Sequence, residues 1–142
     1  MSEIIRDITE VARCGVQYRT DRLANVGLKS IHASYLVQIC AHPGISQDGL
    51  ARRIFINKSN VARQSAALEE QGFILRKASE ADKRVMELYP TEKALEVLPL
   101  IREVFQSWEA NIAQDFTPEE LELMSQLLKR MKTRSAAYME DR

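Results

Sequence analysis

The spacing of apolar residues along the chain predicts a protein built almost entirely of helices. Residues 3–24 carry apolar side chains at intervals of three and four, which is typical of a long amphipathic helix. Residues 25–30 lack this period and are predicted to form a loop. Residues 31–41 are apolar almost throughout, which predicts a central core helix, and His42-Pro43-Gly44 ends that helix sharply.

Two further helices are predicted after this break. Ser46 is a favoured cap for the first, which is short. The second lies within residues 57–72, because Asn57 can cap it and Gly72 can take the left-handed conformation that ends a helix. One face of this second helix is apolar. The opposite face is polar at its N-terminal end, where it presents Lys58, Ser59, Asn60, Arg63 and Gln64.

The helical period then gives way to two short runs, residues 74–78 and 84–89, separated by a polar turn. We predict that they form an antiparallel hairpin packed on the helices, since an isolated hairpin is marginal in water. Two short helices followed by a basic hairpin form a winged helix-turn-helix, whose second helix enters the major groove of DNA. The predicted fold class is therefore mainly α with a small β-wing.

The last third of the chain predicts two long helices, capped by Thr91 and Thr117. Their apolar faces and that of the first helix exceed what one small winged helix can cover. Pairing with a second copy would bury them, so we predict a homodimer. Residues 1–24 and 91–142 would form the helical dimerisation region, and residues 25–90 the DNA-binding region. The alternative is an intramolecular three-helix bundle.

The distribution of charge favours a nucleic-acid partner although the formal net charge of the chain is zero. The segment from Arg52 to Arg84 holds eight basic and four acidic residues, whereas residues 85–142 hold seven basic and eleven acidic ones. Salt screens charges over about 10 Å, so the charges close to the DNA determine the attraction to phosphates, and the net charge of the whole chain does not. The alternative is an ordinary mixed surface.

Several runs of residues resemble the MarR family of winged-helix transcription regulators. They are R-R-I-F-I-N-K-S-N-V-A-R from Arg52, L-E-E-Q-G-F-I-L-R from Leu68, and the later D-K-R and T-E-K. The resemblance covers essentially the whole chain. It implies a homodimeric DNA-binding regulator, with its dimer formed by the terminal helices and with no cofactor. The chain departs from the family pattern at Asn57, Ala62 and Ala94, where Asp, Thr and Gly are common.

The polar face of the recognition helix and the tip of the wing are the predicted contacts with double-stranded DNA, on a pseudo-palindromic operator. The resemblance implies that Arg84 of the Asp-x-Arg motif enters the minor groove and that Asp82 holds it in place. Lys83 is predicted to meet phosphates, and so is Ser59. The remaining predicted contacts are with bases or nearby phosphates and involve Lys58, Asn60, Arg63 and Gln64.

The resemblance also implies a small aromatic or anionic effector held between the dimer helices and the winged helix. Aromatic walls with one cation suit an aromatic carboxylate. The candidate lining residues are Tyr18, Arg22, His32, Tyr35 and Trp108. The alternative is that these side chains belong to the core and the interface. We interpret the chain as a repressor that such an effector releases.

The two cysteines, in a chain without an export signal, indicate a cytoplasmic protein without a structural disulfide. Some MarR-like regulators sense peroxide through an early cysteine, so Cys14 is a redox candidate. Cys40 and His42, with Cys14 and His32 elsewhere, lack the paired spacing of zinc ligands, so no metal site is predicted.

Other classes of function receive less support from the sequence. It has no arrangement for nucleophilic catalysis and no phosphate loop, so the chain is not predicted to be an enzyme. No apolar run approaches the length needed to span a membrane. The alternatives to an effector-released repressor are a thiol-based redox-sensing regulator of the same fold and a helical protein–protein adaptor.

Overall fold

The computed structural model describes residues 3–140 and confirms a mainly helical chain with a small β-wing. Its elements in chain order are α1 (Glu3–Leu23), a 3₁₀ turn (Ala24–Val26), α2 (Ser30–Ala41), β1 (Ile45–Ser46), α3 (Gln47–Ile54), α4 (Lys58–Glu70), β2 (Ile74–Ala78), β3 (Met86–Pro90), α5 (Glu92–Ile112) and α6 (Pro118–Glu140).

The predicted capping residues begin the helices as expected. The Ser46 hydroxyl accepts from a backbone N–H of α3 at 2.9 Å, and the Asn57 amide oxygen accepts from the N–H of Asn60 at 2.7 Å. Thr117 and Glu120 form the reciprocal hydrogen bonds of a capping box, at 2.9 and 3.1 Å. These contacts satisfy backbone donors that a helix leaves open at its start.

The prediction of a loop over residues 25–30 is wrong in part. The chain continues beyond α1 as the 3₁₀ turn, and α2 begins at Ser30. Gly27 ends the turn with φ 76°, and the N–H of Leu28 donates to the carbonyl of Leu23 at 3.2 Å. Both leucines are buried, so apolar burial draws this connection into a tight turn.

The sheet has three strands in the order β1-β3-β2, all antiparallel. The predicted hairpin is present, with Ile74 opposite Pro90 and Ala78 opposite Met86. Two details differ from the prediction. β1 was not predicted, and β3 begins at Met86 rather than at residue 84. The later start arises because Val85 donates to the carbonyl of Asp82 at 2.9 Å, which keeps residues 82–85 in a turn.

The chain divides into two compact units, one reaching to Trp108 and one beginning at Glu109. The hydrophobic core lies in the first unit and draws on α1 to α5 and on β2 and β3. Helix α2 contributes most of its length to this core, as its continuous apolar sequence predicted. The largest fully buried side chains include Leu23, Tyr35, Leu36, Ile39, Leu50, Leu68, Ile74, Leu88 and Ile101.

The end of α4 is fixed to the start of α5. Gly72 has φ 83°, in the left-handed region, and Phe73 donates back to the carbonyl of Leu68 at 3.0 Å, as predicted for a helix end. The hydroxyl of Thr91 donates to the carbonyl of Gly72 at 2.6 Å and accepts from the N–H of Ala94 at 3.4 Å. Thr91 therefore caps α5 and ties it to the chain that leads into the wing.

Large apolar side chains remain exposed on α1 and on α6, considered one unit at a time. In the first unit, α1 exposes Ile4, Ile5, Ile8 and Val11. In the second unit, no residue within Pro118–Glu140 is buried, and the exposed apolar residues of α6 are Leu121, Leu123, Met124, Leu127, Leu128, Met131, Tyr138 and Met139. None of the helices among residues 3–140 has the length and apolarity to cross a bilayer.

Candidate nucleic-acid interface

The outward face of α4 carries the polar residues that the sequence predicted for it. Val61, Ser65 and Leu68 are buried against the core, while Lys58, Ser59 and Arg63 are exposed. The cap at Asn57 leaves backbone N–H groups of the first turn at the exposed N-terminus, where the helix dipole is positive. This end of the helix is therefore suited to an anion.

Two of the predicted contact residues, Asn60 and Gln64, are half-buried on the flank of α4. The hydroxyl of Tyr35 donates to the side-chain oxygen of Asn60 at 2.8 Å, and His32 Nε2 lies 3.0 Å from the side-chain oxygen of Gln64. Neither contact follows from the sequence, because only the fold brings α2 beside α4. The structure thus separates these two half-buried residues from the exposed Lys58, Ser59 and Arg63.

The two α2 side chains that hold α4 are both uncharged at neutral pH. Tyr35 is fully buried, and burial raises its pKa to about 12, against a smaller opposing effect of Arg63. Burial also lowers the pKa of His32, and the charge of Lys29 lowers it further, while the contact with Gln64 acts in the opposite direction. A neutral histidine carries one ring proton, so one nitrogen donates and the other accepts.

Lys58 faces an acidic partner across the helix-turn-helix. Its Nζ lies 3.5 Å from a carboxylate oxygen of Asp48, near the start of α3, and both side chains are more than half exposed. An ion pair this exposed contributes little to stability. Lys58 therefore remains available for a phosphate.

The tip of the wing holds one arginine in a fixed place. The carboxylate of Asp82 accepts from the backbone N–H of Arg84 at 3.0 Å and from its guanidinium at 3.1 and 3.0 Å. These hydrogen bonds lower the pKa of Asp82 and raise the pKa of Arg84. The Arg84 side chain is nevertheless 89% exposed, so it is oriented without being covered. Lys83 beside it is exposed as well.

A second carboxylate connects the far end of α4 to the wing, and sequence reasoning missed it. Glu69 accepts from the backbone N–H of Arg76 at 2.9 Å and from its guanidinium at 3.1 Å. The backbone hydrogen bond is the main cause of a lowered Glu69 pKa. The sequence offers no signal for this pair, since seven residues and a change of element separate the partners. The contact fixes β2 against the recognition helix.

The five predicted effector residues fall into two groups with different contacts. The rings of Tyr18 and Trp108 lie 5.2 Å apart, and the guanidinium of Arg22 lies 4.4 Å from the centre of the Tyr18 ring. Gly15 permits this packing, since a Cβ atom there would lie 2.9 Å from Trp108 Nε1. The other group, His32 and Tyr35, contacts the recognition helix. The prediction that all five line one pocket remains a prediction.

Both cysteines are free thiols. Cys14 is exposed, and Cys40 is half-buried with a pKa raised by that burial. Within residues 3–140, no three His, Cys, Asp or Glu side chains come together in a way that could hold a metal ion.

The fold and this surface define a winged helix-turn-helix protein, and comparisons with known proteins specify its family. The family model described as MarR family matches residues 30–86. An uncharacterized HTH-type transcriptional regulator of Bacillus subtilis (strain 168), YybA, is 35% identical over 137 residues, which cover 93% of this chain and 88% of the relative. The HTH-type regulator BilQ of Clostridioides difficile (strain CD3) is 26% identical over 107 residues, covering 75% of this chain and 72% of BilQ.

Solved structures give the same result. A putative MarR family transcriptional regulator from Listeria monocytogenes, complexed with a 26mer DNA, superposes with TM-score 0.91 at 29% identity, covering 98% of this chain and 93% of that one. The transcriptional regulator SlyA superposes with TM-score 0.93 at 29% identity, covering 98% of each chain. The chain belongs to the MarR family of transcriptional regulators. This membership confirms the prediction that it is not an enzyme.

Proposed function

We propose that this chain is a sequence-specific regulator that binds double-stranded DNA as a homodimer in the cytoplasm and represses transcription. The observation that carries the proposal is the pairing of an exposed cationic helix N-terminus with a wing arginine that Asp82 already orients. The Listeria monocytogenes relative, whose structure is complexed with a 26mer DNA, supports DNA as the partner by analogy. The local excess of basic residues between Arg52 and Arg84 supplies the attraction to phosphates.

Each exposed residue has a role that its chemistry suits. Arg63 lies on the outward face of α4 and can pair with guanine through two hydrogen bonds. Ser59 and Lys58, at the N-terminus of α4, can bind a phosphate together with the open backbone N–H groups. Arg84 enters the minor groove, and Lys83 meets the neighbouring phosphates. Asn60 and Gln64 lie at the edge of the same contact surface.

A homodimer is supported by the exposed apolar residues of α1 and α6. Each helix, taken by itself, exposes several large apolar side chains, and exposed apolar patches mark interaction sites. A two-fold dimer would place the two recognition helices about one turn of DNA apart, ~34 Å, and would therefore favour a pseudo-palindromic operator.

Two observations bear on how the regulator is released. Tyr18 and Trp108 form aromatic surfaces next to the Arg22 cation, a combination that suits a small aromatic carboxylate as effector. Alternatively, Cys14 is exposed and free, which supports a redox-sensing regulator of the same fold. Titrating the protein–DNA complex with a salicylate-like compound and, separately, with peroxide distinguishes the two.

The test of DNA binding is a shift assay on a selected duplex and a scrambled one, at two salt concentrations. We expect tighter binding to the selected duplex and a steep loss of affinity with salt. Arg63→Ala should cost about 1–3 kcal/mol on the selected duplex and lose the base preference. Arg102→Ala removes an exposed arginine of α5 and serves as the matched control. Weak binding without a salt slope would instead indicate a protein–protein adaptor, and equal loss on both duplexes would reject base readout by Arg63.

A further inference from the structure

Helix α2 reaches the recognition helix through two side chains one helical turn apart. His32 and Tyr35 are 5% and 0% exposed, and each ends at the amide oxygen of a predicted DNA-contact residue. Tyr35 follows His32 by three positions and Gln64 follows Asn60 by four, so each pair lies on one face of its helix. The two contacts therefore form a matched pair between neighbouring helix faces.

The direction of the His32 contact is fixed by the backbone. The N–H of Lys29 donates to His32 Nδ1 at 3.4 Å, so in the neutral ring the proton is on Nε2. Nε2 must then donate, and its partner at 3.0 Å is the Gln64 side-chain oxygen. Similarly, the hydroxyl of Tyr35 donates to the Asn60 side-chain oxygen at 2.8 Å. Both amide oxygens are therefore turned toward α2.

This orientation limits what Asn60 and Gln64 can offer to DNA. An asparagine or glutamine recognises adenine with both amide atoms at once, since its oxygen accepts from N6 and its nitrogen donates to N7. An amide whose oxygen accepts from α2 has one lone pair of that oxygen occupied, and its N–H donors are directed away from that contact. Those donors suit the O6 and N7 acceptors of guanine, or a phosphate oxygen.

We propose that Tyr35 and His32 are positioning residues for DNA recognition: they hold Asn60 and Gln64 so that both side chains meet DNA as hydrogen-bond donors only, and not as readers of adenine. This inference rests on the proposed function, and it narrows the range of bases that the flank of α4 can select.

The test measures affinity for a wild-type-selected duplex and all its single base-pair variants. The proteins are wild type, Tyr35→Phe, Asn60→Ala and the double variant, with Tyr89→Phe on β3 as a matched removal of one hydrogen-bonded hydroxyl elsewhere. Tyr35→Phe frees the Asn60 amide to turn. We expect the base preference of Tyr35→Phe at one base pair to shift toward adenine by about fivefold or more. About fivefold is the lower end of the discrimination that one bidentate contact provides. Affinity for scrambled duplex should stay within about twofold, since no charge changes.

The Asn60→Ala background makes the test specific. In that background the Tyr35→Phe shift in base preference should vanish, and in Tyr89→Phe no such shift should occur. A Tyr35→Phe profile that superposes on wild type would overturn the inference, as would a shift that persists without Asn60. Lack of any base preference in wild type would instead overturn the proposed function, and that result needs no variant.

A second measurement tests the inference even if Tyr35→Phe does not reach the native fold, which the loss of cooperative unfolding would reveal. Each adenine of the selected duplex is replaced by purine, which lacks the 6-amino group. In wild type the affinity lost on this replacement should match the loss in Asn60→Ala within about twofold, because the Asn60 oxygen accepts from no adenine. A larger loss in wild type than in Asn60→Ala, by about fivefold at any adenine, would show adenine readout and refute the inference.

Discussion

Removing the acid at the tip of the wing should weaken DNA binding, although the change makes the protein more positive. Asp82 receives two hydrogen bonds from the Arg84 guanidinium and one from its backbone, while the arginine remains exposed. In Asp82→Ala the arginine keeps its charge and loses its orientation. The change in affinity depends on two opposing effects. Loss of the Arg84 orientation weakens binding, and loss of the repulsion between Asp82 and the DNA phosphates strengthens it.

The magnitudes favour the loss of order. In Asp82→Ala, two side-chain torsions of Arg84 become free to take three staggered states each. The population of the oriented Arg84 conformation then falls by up to about ninefold. These states are not equally populated, so we take about threefold per wing, or about tenfold for a dimer that inserts two wings. Repulsion between one carboxylate and a phosphate across a salt-screened distance of about 8 Å changes affinity by less than about twofold.

The assay is equilibrium binding to a selected duplex at physiological salt, with Glu80→Ala as the control. Glu80 is an exposed acid in the same turn, so its removal adds the same charge without releasing Arg84. We expect Asp82→Ala to bind about tenfold more weakly and Glu80→Ala to bind as tightly as wild type or slightly better. If both variants bind more tightly by the same factor, Asp82 acts only as a repulsive charge and the reasoning fails.

Three further predictions concern stability, pH and assembly. Thr91→Val removes the cap of α5 and the hydrogen bond to Gly72, so the free energy of unfolding in urea should fall by about 1–2 kcal/mol; an unchanged midpoint would contradict this role. The lowered pKa of His32 means that the unfolded chain takes up a proton below about pH 6.5 before the folded one does. Stability should therefore change little between pH 7.5 and 6.5 and fall as the pH drops further to 5.5, with a flatter profile in His32→Gln; parallel profiles would refute the assignment. Leu127→Glu places a charge on the exposed apolar face of α6 and should yield monomers in sedimentation experiments, whereas Thr133→Glu on the same helix should stay dimeric. Monomeric wild type at micromolar concentration would exclude the proposed dimer.

The parts of the fold that the sequence predicted are those determined locally. The caps at Ser46, Asn57 and Thr117 and the helix end at Gly72 each depend on residues within one turn of one another. Their side-chain chemistry is therefore sufficient to place them. The hairpin was predictable for the same reason, since its two strands are adjacent along the chain.

The parts that escaped prediction depend on neighbours distant along the chain. β1 is only two residues long, and pairing with Leu88 and Glu87 defines it, not its own composition. The contacts of Tyr35 with Asn60 and of His32 with Gln64 need the fold before the partners can be paired. Polar residues on a recognition helix look alike in sequence, whether they face solvent or a neighbouring helix.

The absence of net charge explains why orientation matters so much on this surface. A strongly basic domain can gain affinity from long-range attraction alone, but the excess here is confined to the segment from Arg52 to Arg84. Arg84, Asn60 and Gln64 are already held by hydrogen bonds, so they lose little freedom on binding. The side chains of Arg63 and Lys83, by contrast, form no hydrogen bond or ion pair with any residue in 3–140 and must be ordered by the DNA. Affinity on a correct site should therefore depend on these ordered contacts as well as on the salt-dependent attraction to phosphates. Asp82 and Tyr35, which touch no DNA in this scheme, should matter as much as an exposed lysine.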